Sequence, residues 1–303
     1  MTWRAIFVSR GRVRAGWRFL LFAVVNALLL AGLQAALQAI PATAPLVTRA
    51  ADGTLSVSAV LILDALALAI VLGTTALAAR LERRPLAAFG FPVREMFGPR
   101  FWQGVLAGLM LATSDIAVTW LLGGISFEPS SLAVSDLALH AAAWAAAFVL
   151  VGLVEELLYR GYALATLAAA IGFWPAAATL ALAFGGLHLL NGGETVVGAL
   201  NVVLYALFAS FTLRRTGNLW FAIGIHTAWD YAQSFLYGVP DSGMRASGQL
   251  VQAHLHGPTW LTGGSVGPEG SAIGFAVLGL AFLVLWWRLP ARPADPPRVS
   301  RPG

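Results

Sequence analysis

Apolar stretches of about twenty residues, separated by short arginine-bearing loops, recur along the whole of this 303-residue chain. Each is long enough to carry a helix across ~30 Å of hydrocarbon, where every backbone N–H and C=O must find its partner inside the segment. A bundle of membrane-spanning helices meets that demand. Composition agrees, since 58% of the residues are apolar and 11% charged, too few charges to cover a water-facing surface. Soluble enzymes, collagens and disordered chains are thereby excluded. Cysteine is absent, so disulfides, thiolate metal sites and a thiol nucleophile are excluded too.

Apolar length and loop breaks predict an all-α polytopic membrane protein with about eight transmembrane helices, near 17–40, 55–79, 102–123, 131–165, 174–190, 196–213, 218–237 and 271–288. All 19 basic residues are Arg. With the N-terminus cytoplasmic, sixteen fall inside (Arg4, Arg10, Arg12, Arg14, Arg18, Arg80, Arg83, Arg84, Arg94, Arg100, Arg214, Arg215, Arg288, Arg292, Arg298 and Arg301) and only Arg49 and Arg245 fall outside, Arg160 being within a span. Adding or losing one helix would invert every later loop, so the count and the placement of both termini in the cytoplasm support each other. The pI near 10.4 therefore reports topology and not a nucleic-acid partner.

The expected organisation is three N-terminal helices over 1–130 with an interfacial cytoplasmic segment at 81–101, a core of helices four to seven over 131–238, an external loop at 239–270, helix eight at 271–288 and a disordered tail over 289–303. The apolar run from Phe19 to Ile40 exceeds a signal-peptide core, so the first helix is read as an uncleaved anchor. Trp3, Trp17, Trp102, Trp220 and Trp286 are read as interfacial anchors.

Ionisable groups inside hydrocarbon cost several kcal/mol each and need a partner or a task. They cluster here on three helices: Glu155-Glu156-Leu157-Leu158-Tyr159-Arg160, Phe184-Gly185-Gly186-Leu187-His188, and His226-Thr227-Ala228-Trp229-Asp230. Glu156 and Arg160 stand at i and i+4, the spacing of a helical ion pair, and read as organisers. Glu155, turned about 100° around the same helix, is left as the free carboxylate. His226 and Asp230 share one face, as do Phe184 and His188. At 1.5 Å per residue the three motifs reach a common depth, roughly 12–21 Å from the cytoplasmic ends, provided helix four continues past Arg160.

These motifs, in this order, resemble the CPBP family, the CAAX-protease and bacteriocin-processing (Abi) group of intramembrane endopeptidases that includes the Rce1-type prenyl-protein proteases. The family pattern is EExxxR, FxxxH and HxxxN or HxxxD, and the chain reads EELLYR, FGGLH and HTAWD. The resemblance covers about 131–238 and implies hydrolysis of a peptide bond in a membrane-embedded or lipidated substrate. It implies a water held and deprotonated by Glu155 and His188, with His226 and Asp230 at the carbonyl oxygen. An ionised Asp230 would repel an oxyanion, so its expected role is to orient His226. Glu155, His188 and His226 also form a His₂Glu set of the kind that binds catalytic zinc, and spacing does not choose between zinc and no cofactor.

Other readings of the same residues are a structural polar knot, a proton-coupled transporter using Asp64 and Asp115 as relay acids, and a non-catalytic immunity or scaffold protein. HExxH and GxGD motifs are absent. Alone on helices two and three, Asp64 and Asp115 are otherwise expected to be capped by neighbouring hydroxyls or kept protonated. His140 is expected to be a satisfied packing residue, and His254 and His256 to be solvated on a loop. Arg- and Ala-heavy, lysine-free usage suggests a bacterial inner membrane.

Overall fold

In a computed structural model of the chain, which describes residues 7–9, 12–47 and 54–289, the apolar runs form eight rods in the expected order. They are α1 (Ala15–Ala39), α2 (Val57–Glu82), α3 (Pro99–Leu121), α4 (Val134–Ile171), α5 (Phe173–His188), α6 (Val196–Thr216), α7 (Trp220–Tyr231) and α8 (Ala272–Arg288). Trp3, Arg49 and the tail from Pro290 lie outside the described residues.

Local chemistry sets the ends. Pro99 opens α3, where its missing N–H costs nothing. Thr195 and Ser271 cap α6 and α8 by accepting from Gly198 N and Gly274 N. Gly217 closes α6 at φ 67°, a left-handed turn that glycine adopts without strain.

The protein is an all-α polytopic membrane protein. Five rods, α1, α2, α3, α4 and α6, are long and apolar enough to cross a membrane, and α8 is a shorter apolar helix of 17 residues. The 12-residue α7 needs no lipid-matched length, because every residue from Trp220 to Asp230 is buried by protein. Glycines make that possible. Gly104 and Gly108 of α3 lie against the Phe221 and Ile225 carbonyls of α7, and Gly224 of α7 lies against the Phe101 carbonyl of α3. A side chain at any of the three would separate the rods.

The connections segregate to two ends. At one end Leu219 N donates to Gly90 O (2.8 Å), Trp220 Nε1 to Pro92 O (3.1 Å) and Asn218 Nδ2 to Glu95 Oε2 (2.6 Å), gathering the α2–α3 and α6–α7 links. Arg18, Arg84, Arg214 and Arg215 belong to this end, Arg18 and Arg84 paired with Glu82 and Arg214 over the Phe173 ring. At the other end β1 (Thr54–Leu55) runs parallel to β3 (Arg245–Ala246), and β2 (Ile125–Pro129) pairs antiparallel with β4 (Val251–Leu255) in the register Ile125↔Leu255.

Three expectations change. Trp220 is 0% exposed, packed against Phe91 and Phe101, because the segment 86–95 folds under the bundle and covers it; Trp102, 61% exposed, keeps an anchor's position. For the same reason Phe89 and Phe91 are buried in protein and not spread on a headgroup layer. The segment 239–270 is not a plain loop: its strand β4 holds His254 3.5 Å from Glu128, and His256 follows it, bonded to Ser126 (2.7 Å).

Candidate active site

The helix carrying the paired glutamates does run on past Arg160. It does so through a π turn, Leu157–Gly161, and continues as α-helix to Ile171. The extra residue in that turn changes the phase of the helix directly after Glu156, a feature that concentrates at functional sites. A second π turn, Ala232–Leu236, follows Asp230 on the helix opposite.

Between these two irregular turns the titratable groups meet. Glu156 is fully buried, and its Oε1 lies 3.4 Å from Arg160 Nη1 and 3.0 Å from His226 Nδ1. The other ring nitrogen of His226, Nε2, lies 3.4 Å from Glu155 Oε2 and 3.6 Å from Asp230 Oδ2. Glu155 keeps 29% of its side chain accessible, toward the cavity. The neighbouring acids, about 100° apart around the helix, thus reach the two nitrogens of one ring, Glu156 from within the protein and Glu155 from the cavity. The contact that orients His226 at Nδ1 comes from Glu156, while Asp230 stands on the Nε2 side.

The FxxxH motif has a packing explanation. Its Phe184 ring lies 4.5 Å from the Arg160 guanidinium carbon, 4.5 Å from the His188 ring and 4.9 Å from the Tyr159 ring. The guanidinium sits on a ring face, where the quadrupole favours a cation. His188 Nδ1 donates to the Phe184 carbonyl (2.8 Å). Nε2 of the neutral ring is then the nitrogen with a free lone pair. Of the two glycines before His188, Gly185 admits the Ala199 carbonyl of α6, and Gly186 faces open space.

Glu155, His188, His226 and Asp230 line one cavity of about 560 Å³, with Phe184, Tyr205 and Asp64. Residues 137–232, from α4 to the second π turn, match the family described as Rce1-like, type II CAAX prenyl endopeptidase. This core is similar to the Rce1-like family. Searches of curated proteins and of solved structures return no match. The match supports an intramembrane endopeptidase of CAAX type.

Around the Rce1-like core stand residues the sequence did not single out. Glu269, from the segment before α8, accepts from Trp229 Nε1 (2.7 Å), Gln233 Nε2 (3.3 Å), Ser242 N (3.1 Å) and Ser242 Oγ (2.9 Å), and its carbonyl accepts from Asn201 Nδ2 (2.6 Å). It ties α6, α7 and the segment after α7 together over the cavity. Asp241 accepts from Ser234 Oγ (3.0 Å), and burial, then the nearby Glu269 charge, push its carboxyl well above the ordinary range. Only a lone acid in a Gly/Pro setting hinted at Glu269.

Asp64 lines the cavity with Glu155 and is not isolated on its helix. Asp115 is not capped by a hydroxyl: Thr119 Oγ1 donates instead to the Asp115 backbone carbonyl, and both carboxyl oxygens are buried without a hydrogen-bond partner among the described residues. His140 packs against Gly248, and its Nδ1 is likewise buried without a partner.

Among the described residues no three His, Asp or Glu side chains converge as a metal-holding group. His226 has Nδ1 committed to Glu156, and His188 has Nδ1 committed to Phe184. Both rings thus leave Nε2 as the free nitrogen on side chains that line the cavity, the atom by which an imidazole would hold either a water or a metal.

Proposed function

We propose that the protein hydrolyses a peptide bond of a membrane-anchored or lipidated polypeptide by a water that Glu155 and His188 activate. The observation carrying this reading is the division of the paired glutamates. Glu156 is consumed in holding Arg160 and His226, and Glu155 alone is left accessible in the cavity beside the His226 ring.

A carboxylate and an imidazole lone pair are both acceptors, so a water between Glu155 and His188 Nε2 is held by its two hydrogens. Its oxygen lone pair is free to attack the scissile carbonyl carbon. Glu155 takes one proton as the C–O bond forms, the carbonyl oxygen becomes an oxyanion, and Glu155 returns that proton to the leaving nitrogen as the C–N bond breaks. With Nδ1–H given to Glu156, His226 donates to the oxyanion from a protonated Nε2, whose charge the flanking carboxylates offset. Asp230 backs that nitrogen. Glu156 and Arg160 act as positioning residues.

The arginine distribution supports both termini in the cytoplasm of a bacterial inner membrane. Bacteriocin-type precursors and prenylated chains are both substrates such chemistry accommodates. The test is cleavage of a mixed panel of membrane-anchored and prenylated peptides by purified wild type and Glu155→Ala. Cleavage lost only in the variant supports the reading, and none by the folded wild type removes it.

A further inference from the structure

The family match ends at residue 232, yet part of the cavity wall comes from a segment well beyond it. That segment reads Gly263-Gly264-Ser265-Val266-Gly267-Pro268-Glu269-Gly270. Gly267, at φ 93°, lies against the Pro240 carbonyl, a path that a side chain would block. The backbone is pinned on both sides, since Val266 O accepts from Gly243 N (3.1 Å) and Ser265 Oγ donates to Gly193 O (2.8 Å). Glu269 is thus delivered to the cavity on a fixed chain, 9% exposed.

Four donors meet its carboxylate, and none is a cation. Oε1 accepts from Trp229 Nε1 (2.7 Å) and Gln233 Nε2 (3.3 Å), which flank Asp230 along the chain. Trp229 belongs to the last turn of α7, and Gln233 to the π turn that follows, where an extra residue changes the phase of the helix. One oxygen therefore clips the junction at which Asp230 stands. Asp230 Oδ2 in turn lies 3.6 Å from His226 Nε2.

Oε2 accepts from the Ser242 N–H (3.1 Å) and the Ser242 hydroxyl (2.9 Å). Ser242 is held at φ 46°, a left-handed conformation that a non-glycine residue keeps only where its surroundings impose it. It lies in the tight turn Asp241–Met244, closed by backbone bonds in both directions (2.8 Å each), and Asp241, Ser242 and Met244 all line the cavity.

We infer that Glu269 is a positioning residue of this site, added from outside the family-matched core: it fixes the end of α7 and thereby the direction of Asp230 and of His226 Nε2. The effect on turnover rests on the proposed hydrolysis. The effect on the His226 ring rests on geometry alone.

Glu269→Gln keeps the shape of the side chain but replaces one acceptor oxygen by a donating amide, so on one of its two sides donors face a donor. Turnover per folded molecule should fall roughly 10–100-fold with KM within about twofold of wild type, as when a partner that orients an active-site group is lost. Added to Asp230→Ala, the same change should cost less than about twofold more, because a residue acting through Asp230 has nothing left to act on. Losses that multiply in full, or turnover per folded molecule equal to wild type, overturn the proposal.

A second readout needs no substrate. In protein carrying isotope-labelled histidine, the His226 ring signals should move in Glu269→Gln, and those of His188, held by its own bond to the Phe184 carbonyl, should stay. Unmoved His226 signals overturn the proposal, and so does equal movement of both rings. Where Glu269→Gln does not fold, Trp229→Phe removes one donor from the other side of the bond and carries the same expectations. A wild type that cleaves nothing removes the hydrolysis, and the ring signals then decide the positioning by themselves.

Discussion

The Glu156 carboxylate accepts a hydrogen bond from Nδ1 of His226 across 3.0 Å, although the two residues stand 70 positions apart. The same oxygen faces the Arg160 guanidinium at 3.4 Å. One buried carboxylate therefore holds a cation on its own helix and sets the direction of an imidazole on another. That imidazole then presents Nε2 to Glu155.

Removing Glu156 alone should unbalance a buried cation. Glu156→Gln is expected to destabilise the fold by about 3–5 kcal/mol, the cost of breaking a buried ion pair from one side. The double change Glu156→Leu with Arg160→Met should recover most of that stability and none of the turnover, since His226 loses its anchor. Thermal unfolding in detergent, read beside cleavage, separates the two effects. Recovery of both would show that Glu156 does not position His226.

Glu155→Gln keeps shape and removes the base. Turnover should fall by roughly 10²–10⁴, the range for losing a general base, with the unfolding midpoint little changed because the side chain is accessible and His226 keeps its Nδ1 bond to Glu156. A variant retaining near wild-type turnover would assign the base elsewhere.

Chelation distinguishes the two chemistries that spacing left open. With Glu155 and His188 holding the water, dialysis against a strong chelator should leave turnover unchanged. Activity lost on chelation and restored by zinc would replace the glutamate mechanism.

Asp241 gives a pH signature outside the spans. Its carboxyl is raised well above 3.8 in the folded protein, so the native state holds a proton that the unfolded chain has released. That contribution to stability is fully present below the unfolded value, near pH 4, and is lost as pH rises through the folded value. Asp241→Asn should flatten this decline and raise the unfolding midpoint at neutral pH relative to wild type. A midpoint that falls more steeply with pH in the variant would reverse the assignment.

Gly224→Ala places a methyl against the Phe101 carbonyl, where backbone cannot retreat. An overpacked contact of this kind costs about 1–3 kcal/mol. The loss should appear in the unfolding midpoint, with turnover per folded molecule largely kept.

Much of this architecture was legible beforehand. Apolar run length set the eight rods, because an unsatisfied backbone is too costly in lipid for any other element. The i, i+4 spacings of Glu156 with Arg160, and of His226 with Asp230, follow from helical period alone, and both pairs meet in space. The separation of Glu155 from Glu156 by about 100° follows from the same period.

Other features depended on chain segments far apart in sequence. Glu269 gathers donors from Trp229, Gln233 and Ser242, and nothing local to a Gly/Pro-flanked acid encodes those partners. Trp220 reads as an interfacial residue until the segment 86–95 folds over it. Periodicity determines which side chains share a face of one rod, since that is a property of neighbours along a helix. Which faces meet, and which nitrogen of His226 each acid receives, were decided by tertiary packing, because those contacts join residues whose separation along the chain carries no period.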